Sequence, residues 1–278
     1  RGQGIRLFTT EEELQSIFEE WEAERPDSDY EGEEGDEDSG SSSEVAGDKK
    51  GDEGGDYIVT SHLRHFIAQP YIHPPLLLLS NPCKFHIRTY VLAFGGLKIY
   101  VYKPMLALFA SSPYIPPWSS STSPSDLDVS AHLTNTCLQS GTHDGTVQAF
   151  WSLPDTDLPK SLKESIWTQI CEVTGEIFEA AAKGMMVHFQ TLSNAFEIFG
   201  LDFLVDEQGK AYLLEVNAFP DFRQTGEELK GLVGGLWEGV VDVVVSVFFD
   251  VGNVEGEGKG EEREGKMVLV REIDLGRR

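Results

Sequence analysis

The chain has 278 residues, with 47 acidic against 22 Lys and Arg, a formal net charge of -25, and 40% apolar residues including 16 Phe and 5 Trp. That is enough apolar material for one large or two small domains, and the acidity argues against a general nucleic-acid binder, whose phosphate contacts need a basic surface. Three cysteines (Cys83, Cys137, Cys171) stand far apart without a CxxC, which argues against a disulfide framework and fits a reducing, cytoplasmic setting; the longest apolar stretch, VVDVVVSVFF, is too short to cross a bilayer and carries Asp242.

The sequence opens at Arg1 with RGQGIRLF, and we expect it to be part of a longer protein. IRLF (5–8) predicts a short strand. Thr10 and Glu13 then form a capping box, opening a helix with Leu14, Ile17, Phe18 and Trp21 on one face. Residues 11–56 hold 20 Asp and Glu against 3 Lys and Arg, a local net of -17. Within that stretch, 25–56 has almost no apolar residue to offset its ordering entropy. It reads as a disordered acidic insertion, either inert or an acidic tail that competes for or mimics an acidic partner.

RHFIAQ (64–69) predicts a strand ended by the following prolines. CKFHIRTYVLAFGGLKIYVYK (83–103) predicts a hairpin. A two-residue turn at Gly95-Gly96 places Arg88 opposite Lys103 and Tyr90 opposite Val101. Strand side chains alternate, so Lys84, His86 and Arg88 share one face, which turns apolar at Leu92, Phe94, Leu97 and Ile99. A row of like charges destabilises a sheet. Either the face is exposed, or local acids pair with it, or an anion lies over it.

Residues 111–128, rich in Ser and Pro, predict a loop, and HLTNTCLQ (132–139) a short polar turn. LPKSLKESIWTQICEVTGEIFEAAAKGMM predicts a long helix with Leu162, Ile166, Ile170, Val173 and Ile177 as its apolar stripe. FGLDFLVDEQGKAYLLEVNAFP predicts a second hairpin turning at DEQG. Its expected register puts Asp202 opposite Leu213, with Glu215 as a diagonal neighbour about 7–8 Å away and Asn217 continuing that face. Each carboxylate alone reads as a solvated charge. Converging between apolar strands, the two with the amide read as a hard-oxygen site suited to Mg²⁺. EELKGLVGGLWEGVVDVVVSVFF predicts a closing helix, or a buried strand in its Val run; a Gly/Glu linker then leads to MVLVREIDL, an expected edge strand. If RGQGI is a loop whose backbone N–H groups approach phosphates, cations, metal ligands and loop together point to a nucleoside triphosphate with Mg²⁺.

The order and spacing of RGQGI, FIAQPYIHPPLLL, KFHIRTYVL, IYVYKPMLALFASSPY, HLTNTCLQ and FGLDFLVDEQGKAYLLEVNAFP resemble the tubulin-tyrosine ligase family over residues 1–24 and 57–222, its fungal branch most of all. The resemblance implies an α+β fold: a partial ATP-grasp fold, an antiparallel sheet packed with helices. Residues 1–24 would end its phosphate-loop subdomain, 25–56 would be the insertion, 57–250 the C-terminal core, 251–266 a linker, and 267–278 a terminal strand and tail. The implied activity joins an amino acid to a peptide carboxyl group at the expense of ATP, with a free amino acid and a protein carboxylate, tubulin's for instance, as partners. Gln69 and Ile72 would contact adenine. Lys84 would reach phosphate and Arg88 would face the transferred group. Thr134 and Asn135 would border phosphate and substrate, with His132 nearby. Asp202, Glu215 and Asn217 would hold Mg²⁺, and the Gly2–Gly4 loop would cover the phosphates. His132 and His188 would be structural. The chain departs from the family pattern at His86 (usually Asp), Pro70 (usually Lys) and Leu108 (often Arg), which opens an alternative: a catalytically degenerate binding module. A kinase finds no support, since no HRD-like or DFG-like segment is present.

Overall fold

The computed structural model describes residues 5–23, 66–119, 129–134, 146–220, 222, 230–245, 248 and 266–273. They fall into two compact units divided between Gln69 and Pro70. The acidic insertion, Gly2, Gly4, Asn135, Cys137, most of HLTNTCLQ and nearly all of the Gly/Glu linker lie outside the described residues.

In the first unit, helix α1 (Glu11–Ala23) begins at the expected capping box. Glu13 N donates to Thr10 Oγ1 at 3.2 Å, and Thr9 N and Thr10 N donate to Glu13 Oε2 at 2.6 and 3.3 Å. Ile17 and Trp21 are buried, and Phe18 and Phe66 pack on Trp21 with centroids 5.6 Å away in each case. The expected strands at 5–8 and 64–69 are not found: 5–8 and 66–69 are irregular, and 64 and 65 lie outside the described residues. A strand exists by its ladder, and 5–8 and 66–69 belong to no strand ladder among the described residues.

The second unit is built on a seven-stranded antiparallel sheet. Its strands are β1 (Cys83–Phe94), β2 (Lys98–Tyr102), β3 (Leu106–Pro113), β4 (Val147–Ala149), β5 (Phe196–Val205), β6 (Ala211–Ala218) and β7 (Met267–Glu272). The order is β4-β3-β1-β2-β7, with β5 on the other side of β1 and β6 beyond it. β1 is the spine, and its residues from Lys84 onward are all buried. β7 is the expected edge strand. The described residues therefore have the α+β character expected.

Helices cover both faces. Against one, α2 (Lys160–Gly184) sets Ile166, Trp167, Ile170 and Phe178 on Phe85, Ile87, Val91, Leu201 and Phe203. Against the other, α3 (Lys230–Val240) and the π-helical turn Val241–Val245 set Leu236, Val240 and Val244 on Tyr90, Leu92, Tyr102 and Leu108. The Val run is thus helical, not a strand, because its valines cap a sheet that is already paired. The α2 stripe is rotated from the expected one: Ile177 is 38% exposed and Phe178 takes the core position. The expected loop starts later than 111, since β3 runs to Pro113.

Two registers differ from the sequence expectation. The first hairpin turns through three residues, Gly95, Gly96 and Leu97, with Gly95 at φ +62°, and pairs Phe94 with Lys98 and Val91 with Val101. This one-residue slip sends Leu97 and Ile99 to the opposite face, where both join the α2 core. Arg88 accordingly has no Lys103 opposite it. In the second hairpin the register shifts between Asp202 and Phe203, so that Asp202 lies directly opposite Glu215 rather than Leu213. The extra residue is a β-bulge, and it moves Glu215 from diagonal to facing.

Candidate functional site

The α3 face of β1 is apolar from Tyr90 onward and continues toward the strand's start as Arg88, His86 and Lys84. The face is not open: these residues are 6%, 4% and 9% exposed. A buried guanidinium requires compensation, and for Arg88 the fold supplies it from β5. Arg88 and Asp202 are register partners. Arg88 Nε donates to Asp202 Oδ1, and Nη2 to Oδ2 at 2.9 Å. His86 Nε2 lies 3.4 Å from Asp202 Oδ1, while its Nδ1 is 2.5 Å from Thr134 Oγ1. Gly200 makes room for this arrangement, since a Cβ there would lie 3.0 Å from Pro220 Cβ and 3.4 Å from Arg88 Cδ.

Burial alone would raise the Asp202 carboxyl, but the adjoining His86 and Arg88 groups outweigh it and hold it well below the usual carboxylate range. For Arg88, burial opposes the charge, and the bidentate bond and charge of Asp202 raise its pKa despite that.

On β6, Asn217 Nδ2 donates to Glu215 Oε1 at 2.9 Å and approaches Asp202 Oδ2 at 3.4 Å. Asp202 is buried, whereas Glu215 is exposed. Among the described residues no three His, Cys, Asp or Glu side chains gather into a metal cluster, so a cation site here depends on Asn217 as the third donor. The donor chemistry fits a hard cation that keeps several waters. Arg88 engages both Asp202 oxygens, and His86 and Asn217 also approach them at 3.4 Å, so Asp202 would face a cation by exchanging one of these longer contacts, whereas Glu215 is open to solvent.

Lys84 has different company. Its Nζ lies 4.5 Å from the Tyr71 ring centroid and donates to Tyr71 Oη at 3.4 Å. Burial pushes its ammonium down to about 8. Tyr71 Oη and His132 Nδ1 are 2.9 Å apart, and Tyr114 Oη and His73 Nδ1 2.7 Å. The segment carrying Tyr71 is fastened to the end of β5, where Leu76 N donates to Val205 O at 2.8 Å and Glu207 N to Pro74 O at 3.0 Å.

The structure thus brings together Arg88, Asp202, Glu215 and Asn217, joins Thr134 to them through His86, and sets Lys84 on the same face of β1. Ile72, half-buried, lies in the same unit, and Gln69 in the other. His188 is exposed. No periodicity or motif in the sequence marks Tyr71 or Tyr114, and the prolines around Tyr71 say nothing of its contact with Lys84. His86 and Leu108, two of the three positions expected to differ from the family pattern, are register partners across β1 and β3.

The family model for the tubulin-tyrosine ligase family matches residues 1–252. A probable tubulin–tyrosine ligase of Schizosaccharomyces pombe is 42% identical over 280 residues, 99% of this chain and 61% of that protein. The probable tubulin–tyrosine ligase PBY1 of Saccharomyces cerevisiae is 42% identical over 254 residues, 90% of this chain and 32% of that protein. Among solved structures, the C-terminal domain of K. lactis Pby1, described as an ATP-grasp enzyme interacting with the mRNA decapping enzyme Dcp2, superposes with a TM-score of 0.63 at 36% identity, covering 98% of this chain and 60% of that one. The chain thus spans less than two thirds of the length of each of these relatives. Its sheet and helices have an ATP-grasp neighbour, and the match over 1–252 places the chain in the tubulin-tyrosine ligase family.

Proposed function

We propose that this chain carries the nucleotide and metal site of an ATP-dependent carboxylate–amine ligase that adds an amino acid, tyrosine or a similar one, to a protein carboxyl group. The observation that carries this reading is the buried Arg88–Asp202 pair with the exposed Glu215 and the half-buried Asn217 beside it: oxygen donors and a guanidinium in one place.

In this reading Asp202, Glu215 and Asn217 hold Mg²⁺, which would screen phosphate charge. Arg88 and Lys84 set positive charge where it develops in transfer. Ile72 contacts the base, and Thr134 borders the substrates. An acceptor carboxylate oxygen attacks the terminal phosphorus, and the bond to the ADP oxygen breaks. The amine nitrogen then attacks the acyl carbon, inorganic phosphate leaves with the bonding pair, and one amine proton is released. No Ser, Cys or His nucleophile is required. The residues contribute orientation and charge, not covalent chemistry.

Further relatives are named as a tubulin polyglutamylase and a tubulin glycylase, and tubulin is the first acceptor to try. The test uses the full-length protein with MgATP, tubulin or a tubulin tail peptide, and hydroxylamine to trap the activated carboxylate as hydroxamate. The wild type should form hydroxamate and ADP together, and Glu215→Gln should form each at least about 10-fold more slowly. Equal yields from both proteins would sink the metal-site assignment.

One observation favours a second reading, a nucleotide- or protein-binding module without turnover: His86 and Leu108 together change a cross-strand pair beside the site. The K. lactis relative's interaction with Dcp2 gives that reading a kind of partner. MgATP binding without hydroxamate from any acceptor would select it.

A further inference from the structure

Three basic residues share one face of β1, yet they do not share one fate. Arg88 and His86 converge on Asp202. Lys84 has no carboxylate within ion-pair distance among the described residues. A buried ammonium without a counter-charge is costly, and what it has instead is an aromatic face at 4.5 Å and a hydroxyl at 3.4 Å.

We propose that Tyr71 is a positioning residue for Lys84, taking the place that a carboxylate would usually hold beside a buried ammonium, so that Nζ is fixed while its charge stays unspent for an anionic ligand. This deepens the ligase reading and rests on it for the identity of the anion, a nucleotide phosphate. The physics is a matter of net charge. A carboxylate at this distance would attract Nζ but cancel it, and an approaching phosphate would meet a neutral pair. The quadrupole of a tyrosine ring attracts a cation with no net charge of its own.

The ring is itself held. His132 Nδ1 meets its hydroxyl at 2.9 Å, and His132 is buried. Trp118 and His132 both pack edge-on to it, at centroid distances of 6.5 and 5.8 Å. A second tier follows in Tyr114, whose hydroxyl lies 2.7 Å from His73 Nδ1 and whose ring lies edge-on to His132 at 6.0 Å. These contacts come from chain segments around 71–73, 114–118 and 132. Fixing a flexible four-carbon arm through a rigid ring limits the rotamer entropy lost when a phosphate binds. The downward shift of the Lys84 ammonium agrees with this: burial lowers it, and no neighbouring acid restores it.

The test combines a ligand-free signature with a binding cycle. In protein labelled at lysine Cε, the Lys84 methylene protons should be displaced upfield by the Tyr71 ring current. Tyr71→Phe should keep that displacement and Tyr71→Leu should lose it. For MgATP measured by calorimetry on the full-length protein, Tyr71→Leu and Lys84→Met should each weaken binding about 10-fold, and Tyr71→Phe, which keeps the ring but loses the hydroxyl that meets Lys84 and His132, should weaken it by less than Tyr71→Leu. The double variant Tyr71→Leu, Lys84→Met should be no weaker than either single one, since the two residues act as a unit. Losses that multiply to about 100-fold in the double variant, or a wild-type Lys84 resonance without the upfield displacement, would overturn the proposal. A wild type that shows the displacement but binds no MgATP would instead refute the nucleotide reading and leave the Tyr71–Lys84 pairing standing.

Discussion

Arg88 and Asp202 are 114 positions apart in sequence and directly opposite each other on β1 and β5, joined by two parallel hydrogen bonds with both side chains buried. This one pair explains how an acidic chain buries Arg88 in the middle of a sheet, with His86 approaching the same carboxylate. A strand contributed from far along the chain brings Asp202 to that end of the row, while Lys84 at the other end rests on Tyr71.

Removing one partner leaves the other as an uncompensated buried charge. We therefore expect Arg88→Met and Asp202→Asn each to cost about 3–5 kcal/mol of stability, read from chemical denaturation of the full chain. The double variant should lose far less than the sum of the two. Additive losses would show that the two groups do not depend on each other.

Glu215 is exposed where Asp202 is buried, and this separates function from stability. Glu215→Gln should change unfolding free energy by no more than about 0.5 kcal/mol, as for other surface substitutions. The same change should lower Mg²⁺-dependent turnover of ATP by at least about 10-fold, the scale found for altered metal surroundings. A large stability loss with unchanged turnover would reverse the roles assigned to these two carboxylates.

α3 approaches β2 closely at Gly235. A Cβ there would lie 2.6 Å from Tyr102 Oη, and that hydroxyl is already committed to Leu232 O at 3.0 Å. Tyr102 is buried and rigid, so the backbone must move. Gly235→Ala should destabilise by about 1–3 kcal/mol, the usual range for overpacking, although alanine is the better helix former. A rise in melting temperature on this substitution would mean that α3 does not sit against Tyr102.

The capping box gives a pH dependence local to α1. Backbone and side-chain hydrogen bonds from Thr9, then the backbone of Thr10, outweigh desolvation and lower the Glu13 carboxyl from its ordinary value. For a depressed carboxylate, the stabilisation is complete above the unfolded value of about 4.3 and is lost as pH falls through the folded value. Protection of the first-turn amides of α1, measured relative to intrinsic exchange at the same pH, should therefore fall below about pH 4, and Glu13→Gln should remove that fall. A first turn equally protected at about pH 3 and about pH 6, on either side of that value, would show that the cap contributes little.

The sequence by itself determined the periodic and strictly local features. The capping box at Thr10, the long helix from Lys160, the two hairpins and the edge strand Met267–Glu272 follow from side-chain spacing and turn residues, which act over a few positions. It also carried enough ordered motifs to indicate the family, and it singled out Lys84, Arg88, Asp202, Glu215 and Asn217. Register was not legible. Gly95-Gly96 reads as a two-residue turn, yet Leu97 joins it because its side chain gains burial in the α2 core by crossing to the other face. The bulge that sets Glu215 opposite Asp202 is likewise invisible in a pattern that fits either register. Nor could the sequence tell a stripe centred on Ile177 from one centred on Phe178, or a helical Val run from a strand, since both choices depend on which surface is already covered. The pairing of Arg88 with Asp202 and the seating of Lys84 on Tyr71 join segments distant along the chain. Only tertiary structure decides such contacts, because burial makes each unpaired charge costly enough to select its partner.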